Sequence, residues 1–253
     1  MIVAPELLAF SIFLLFCRVG SCVLFAPGLS SARIPMQIRL LVTLGVVLAL
    51  SPLLANFIAT RVAAVAMEVR PLLIIREIVT GLIIGVMGRF FLMGLQFAAN
   101  TIWSTIGLAG IPGVPLEESD AGSPLATLAS TGAVVLILSL GLHIEMLRAV
   151  IDSYQVIGIL DPLEPGAMLS SLTTVLTETS VLALRLAAPF IAYGVLANVG
   201  LGLANRFVPQ ISVYHATTGV VMVVGLGLMH LLWPEWIMLF VGSYLSWLQR
   251  GGF

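Results

Sequence analysis

The chain has 253 residues, 60% of them apolar and only 9% charged, with a mean hydropathy of +1.14 and a formal net charge of −1. Soluble domains carry about a quarter charged residues, so the composition excludes a soluble globular protein and points to an integral membrane protein. The near-zero charge argues against electrostatic binding of nucleic acid. All eleven cations are arginines, and Arg18, Arg76, Arg89 and Arg185 lie inside apolar runs. A guanidinium in hydrocarbon is costly unless it is paired or reaches water, so these four are expected to face protein or a wet cavity.

A membrane span needs roughly 20 mostly apolar residues. In chain order the candidate spans are 7–25, 40–59, 72–100, 125–151, 178–204 and 211–232, with a shorter amphipathic tail at 235–249. The first run starts without a basic leader and has no small-residue cleavage site after Phe25, which reads as a retained helix. Its two cysteines, Cys17 and Cys22, are five apart, a spacing that suits neither a metal site nor a CxxC pair, so they read as small core residues. Ala26-Pro27-Gly28 ends this run, and Pro71 opens the third. Pro52 and Pro189 fall within apolar runs and are expected to kink or end helices. The third run carries Arg76, Glu77, Arg89, Gln96 and Asn100. At about 44 Å it is too long to cross a membrane upright. Gly81, Gly85 and Gly88 give it a small face where another backbone, of this chain or of a partner, approaches closely. Ala188/Ala192 and Asn198/Gly202 repeat that spacing later.

Further along, Glu145 and Arg148 share a helix face and are expected to pair. Glu178 and Arg185, two turns apart, are expected to find partners on other helices. On a six-span count, Arg33, Arg39 and Arg206 fall on one side and Arg61, Arg70 and Arg250 on the other. Three against three leaves the orientation undetermined. His143, His215 and His230 are scattered, and there is no HExxH or GxSxG, so the residues offer no metal or nucleophile chemistry and the chain is expected not to be an enzyme or to hold a cofactor.

The Gly107–Pro124 connection is the most unusual. Its glycines and prolines forbid a regular helix. The first half is apolar (Leu108, Ile111, Val114) and the second acidic (Glu117, Glu118, Asp120). Irregular backbone at membrane depth is tolerated only where protein or water covers it, so this segment reads as a loop that enters and occludes a cavity.

Three stretches then carry a resemblance. Pro27-Gly28-Leu29-Ser30-Ser31-Ala32-Arg33-Ile34-Pro35 with Gln37-Ile38-Arg39-Leu40 resembles the first-loop signature of the FliR family, the R subunit of the flagellar type III export gate. Gly81-Leu82-Ile83-Ile84-Gly85, Gln96 and the 107–124 loop resemble its central block, and Asn205-Arg206-Phe207-Val208-Pro209-Gln210 its late motif. The resemblance implies an all-α membrane fold with a P-subunit-like portion, 1–175, and a Q-subunit-like C-terminal hairpin, 176–253, bent at Pro209. It implies a subunit that joins P and Q subunits and the FlhB-type subunit in a channel for unfolded flagellar proteins. The assembly would sit in the bacterial inner membrane at the flagellar basal body, partly raised toward the periplasm. The plug of that channel corresponds to Gly107, Leu108, Gly110, Ile111, Gly113 and Val114. Arg33, Arg39, Arg76, Arg89, Arg185, Arg206, Gly81 and Gly85 are the candidate subunit contacts. The alternatives are an injectisome T subunit or a small secondary transporter, although no internal repeat favours the latter.

Overall fold

The computed structural model describes residues 4–30, 34–110, 123–162, 164–207 and 213–251. Its long elements are α1 (Pro5–Phe25), α2 (Met36–Val62), α3 (Arg70–Thr105), α4 (Pro124–Ser139), α5 (Leu142–Val156), α6 (Pro165–Phe207) and α7 (Val213–Gln249). Among the described residues every regular element is a helix. Among the same residues, five helices are long and apolar enough to cross a membrane, or six if α4 and α5 together make one broken span.

Proline sets many of the starts. Pro5, Pro124 and Pro165 are the first residues of α1, α4 and α6, Pro71 follows the first residue of α3, and Pro35 caps α2. Proline belongs there because the first helical N–H groups have no partner in any case. The interior prolines do not end their helices, one of the two outcomes expected of Pro52 and Pro189. Pro52, Pro189 and Pro234 all lie inside continuous helices, so α7 absorbs the stretch expected as a separate tail. A transmembrane helix tolerates one missing N–H when neighbouring groups re-satisfy the freed carbonyls.

Two other boundaries differ. The expected 125–151 span breaks at Leu140–Gly141, where Gly141 has φ +72. That left-handed conformation suits glycine and stops an α-helix. Conversely, α6 begins at Pro165, well before the expected 178, across the polar run Ser170–Thr174. There Ser170 and Ser171 donate to the Ala167 carbonyl at 2.7 and 3.1 Å, and Thr174 to that of Ser170 at 2.8 Å. Hydroxyls satisfied by their own helix leave the polar stretch helical.

The chain divides into two compact units, residues 1–90, 137–176 and 244–253, and residues 91–136 and 177–243. In the first, α1 packs along α2, and Leu14, Leu15, Ile58, Ile84, Met87 and Trp247 are fully buried. Tyr244 donates to the Met146 sulfur at 3.6 Å. In the second, Ile102, Ile106, Leu186, Phe190 and Trp236 form the interior. Here α6 and α7 run antiparallel and are strapped twice. The Trp236 indole donates to the Leu186 carbonyl at 3.0 Å, and the Tyr193 hydroxyl donates to the Val221 carbonyl. The outer face of α2 stays apolar and uncovered, with Leu41 67% and Leu53 64% exposed.

Candidate functional site

Two arrangements carry charge or polar geometry worth building up. The first lies in the unit formed by 1–90, 137–176 and 244–253. Arg18, in the middle of α1, is 1% exposed. Its Nε and Nη2 donate to Glu77 Oε2 and Oε1 of α3 at 2.7 and 2.9 Å. The remaining terminal nitrogen, Nη1, donates to Ser153 Oγ of α5 at 2.9 Å, and Nη2 also reaches the Ile157 carbonyl at 3.3 Å. The Tyr154 hydroxyl donates to Glu77 Oε2 at 3.0 Å, and the guanidinium carbon lies 3.7 Å from the Tyr154 ring centroid. One forked, stacked arginine thus joins α1, α3 and α5. Planar pairing of this kind is what arginine offers and lysine does not.

The fork depends on close approach of α1 and α3. A Cβ on Gly81 would overlap the Arg18 carbonyl and the Ser21 hydroxyl, and one on Gly85 would lie 2.6 Å from the Cys22 carbonyl oxygen. The expected small face therefore serves packing within the chain. Beside the network, Thr80, Met87, Ile157, Asp161 and Met168 line an open cavity of about 470 Å³.

The second arrangement is the base of the 107–124 segment, in the unit formed by 91–136 and 177–243. Ile106 is fully buried, and Gly107 turns the chain off α3 with φ +82. Leu108–Gly110 makes one 3₁₀ turn. At the other end the Ser123 amide donates to Asn100 Oδ1 of α3 at 2.8 Å, while Ser123 Oγ caps α4 by accepting from the Ala126 amide at 3.1 Å. Both ends of the segment are therefore held against the last two turns of α3. A cavity of about 380 Å³ opens at this base, lined by Thr105, Gly107, Asn198 and Thr218 among others. Ile111, Gly113 and Val114 lie outside the described residues, as do Arg33 and the expected bend at Pro209.

The four membrane-depth arginines separate into different kinds. Arg18 is fully paired. Arg76 donates to the Leu160 carbonyl at 3.3 Å. Arg89, half-buried, and Arg185, exposed, make no hydrogen bond or ion pair with any described residue. Arg39 is half-buried and Arg206 exposed. The expected Glu145–Arg148 pair is present at 2.8 Å. Sequence reasoning missed the pairing of Arg18 with Glu77, and missed Tyr154 and Ser153 altogether. The available signal was two lone opposite charges in separate apolar runs, each in need of a partner. Among the described residues no three His, Cys, Asp or Glu side chains gather as a metal site requires.

Residues 9–246 match the model of one protein family, described as bacterial export proteins, family 1. The chain is 29% identical over 224 residues to the flagellar biosynthetic protein FliR of Caulobacter vibrioides, covering 86% of each chain. It is 26% identical over 218 residues to the protein of the same name from Escherichia coli, covering 86% of this chain and 82% of that one. The FliR of Pectobacterium carotovorum is 23% identical over 223 residues, with 87% and 82% covered. The resemblance read from the first-loop, central and late motifs is thus supported along nearly the whole chain. With the match running from the second turn of α1 to the last turn of α7, the chain belongs to the bacterial export proteins, family 1.

Proposed function

We propose that the protein is a core subunit of the flagellar type III export gate, forming with P- and Q-type subunits the channel through which unfolded flagellar proteins leave the cell. The observation that carries this reading is the family match over residues 9–246, together with relatives named as flagellar biosynthetic proteins. Residues 1–175 act as the P-like portion and 176–253 as the Q-like hairpin. The FlhB-type subunit lies at the cytoplasmic entrance. The assembly sits in the inner membrane at the basal body, partly raised toward the periplasm. Arg33, Arg39 and Arg206 contribute contacts between subunits.

Within this gate the work is opening and closing rather than bond chemistry. The 107–124 segment closes the channel. Leu108, Ile111 and Val114 exclude water and ions, and Gly107, Gly110 and Gly113 give the backbone freedom to move aside. Support comes from the base of the segment, where Gly107 adopts a positive φ beside a partly polar cavity and Ser123 is tied to Asn100. Deleting residues 110–118 tests the assignment. The expected result is an assembled gate that leaks small ions; loss of assembly would make the segment a scaffold instead.

A further inference from the structure

α6 has 43 residues, about 65 Å of helix. Between Pro165 and Asn205 its only charged side chains are Glu178 and Arg185. Glu178 has an interaction of its own within the chain. Arg185 has no hydrogen bond or ion pair with any described residue, and its side chain is exposed. Hydrocarbon spans roughly 20 residues of helix, and nearly every stretch of that length in α6 contains position 185. A bare guanidinium is unfavourable in every one of those stretches.

Its surroundings say what completes it. Val181 is 41%, Leu184 56% and Val195 57% exposed, and Ala188 and Ala192 are exposed beside them. At about 100° per residue all five lie on one stripe with Arg185. Such spacing is that of a helix-docking seam, and its small residues sit next to the charge, where they let another backbone come close. Arginine's rigid fork is matched best by a carboxylate. A phospholipid headgroup offers a phosphate, but at the edge of the layer rather than along an apolar seam.

We propose that this face of α6 docks an α-helix of another chain that presents an Asp or Glu side chain to Arg185. The proposal deepens the export-gate reading and rests on its claim that the chain assembles with sister subunits. One intramolecular rival needs its own control. Glu235 is the only Asp, Glu, Lys or Arg in α7, and it is exposed, with no hydrogen bond or ion pair to any described residue. It stands next to Trp236, whose indole meets the Leu186 carbonyl, so Glu235 and Arg185 share a level of the hairpin.

The test uses the full chain in cell membranes with its native neighbouring subunits, extracted in detergent and examined by native mass spectrometry. Removing one partner of a buried charge pair weakens association by about tenfold or more, so R185L is expected to lose the complex to that extent while R185K keeps most of it. A photoreactive residue at Val181, in an otherwise wild-type chain, is expected to crosslink to another protein chain, which decides the matter even if R185L is not retained in the membrane. Crosslinks to lipid alone, or a complex unaffected by R185L, overturn the proposal. Recovery of the complex by R185E combined with E235R overturns it in favour of a pair within the hairpin. If the wild-type chain itself is extracted alone, the assembly reading falls; if it is extracted in a complex that R185L leaves intact, only the docking proposal does.

Discussion

Arg18 and Glu77 form a two-point fork, with both nitrogen–oxygen distances under 3 Å and both side chains 1% exposed. Tyr154 and Ser153 close the fork from α5. Taking either charge away leaves the other buried and uncompensated, which costs about 3–5 kcal/mol. Arg18→Met and Glu77→Met are therefore each expected to lower the thermal unfolding midpoint in detergent sharply and to reduce the amount of protein in the membrane. The double substitution, which leaves no orphan charge, is expected to recover a large part of the loss. A double variant as damaged as the sum of the singles would mean that the two side chains are not energetically coupled, and that the fork does not hold α1 to α3.

Gly81 is where this approach of helices is least forgiving. A side chain there meets the Arg18 backbone carbonyl, which cannot rotate away. Gly81→Ala is expected to cost about 3 kcal/mol, at the upper end for overpacking, and Gly81→Leu to prevent accumulation of the protein. Gly45 in α2 has open space at its Cβ position, so Gly45→Ala is expected to be neutral or to gain up to about 1 kcal/mol from helix propensity. Comparing the unfolding midpoints of the two alanine variants checks the assignment.

The contrast between these two glycines marks what a sequence can say. Apolar runs and their proline or glycine punctuation announce α1 to within two residues and α2 and α3 to within five, because length and hydropathy are local properties. The small face of Gly81 and Gly85 is equally visible. What stays hidden is which helix fills it, since periodicity carries no address: Arg18 and Glu77 are 59 positions apart. Local rules also fail where a group changes its meaning in context. Ser170–Thr174 looks like a loop until its hydroxyls bond their own helix. Gly141 looks like one more small residue in an apolar run until its φ becomes positive. At the base of the 107–124 segment the glycine and proline content was legible, but the Asn100–Ser123 tie was not.

That tie gives a separate prediction. Asn100 supplies an oxygen to the Ser123 amide, and Ser123 in turn caps α4. Asn100→Ala removes the acceptor and costs about 1 kcal/mol, the net worth of one such bond. Cleavage by added protease between residues 107 and 122, in membrane vesicles that expose the segment, is expected to quicken about fivefold, the factor that 1 kcal/mol implies. Asn100→Asp, which keeps an oxygen at the same place, is expected to cleave at close to the wild-type rate. Equal rates for Asn100→Ala and wild type would mean that the tie does not restrain the segment.

Gly141 sets the break between α4 and α5, and its N–H bonds the Leu138 carbonyl at 3.3 Å while its own carbonyl accepts from Ile144 at 2.9 Å. With φ at +72, any β-carbon crowds the following carbonyl, at about 1–2 kcal/mol for a single residue. Gly141→Ala is expected to show that loss in the thermal unfolding midpoint, and Gly141→Val more, because a branched β-carbon crowds the backbone further. Gly141→Asn is expected to be milder than either, since asparagine enters the left-handed region more readily. Gly132, inside α4 and open at its Cβ, supplies the control: alanine there removes backbone freedom without meeting a neighbour, so its midpoint should stay level or rise. An alanine at 141 as harmless as one at 132 would mean that the break does not depend on the left-handed residue.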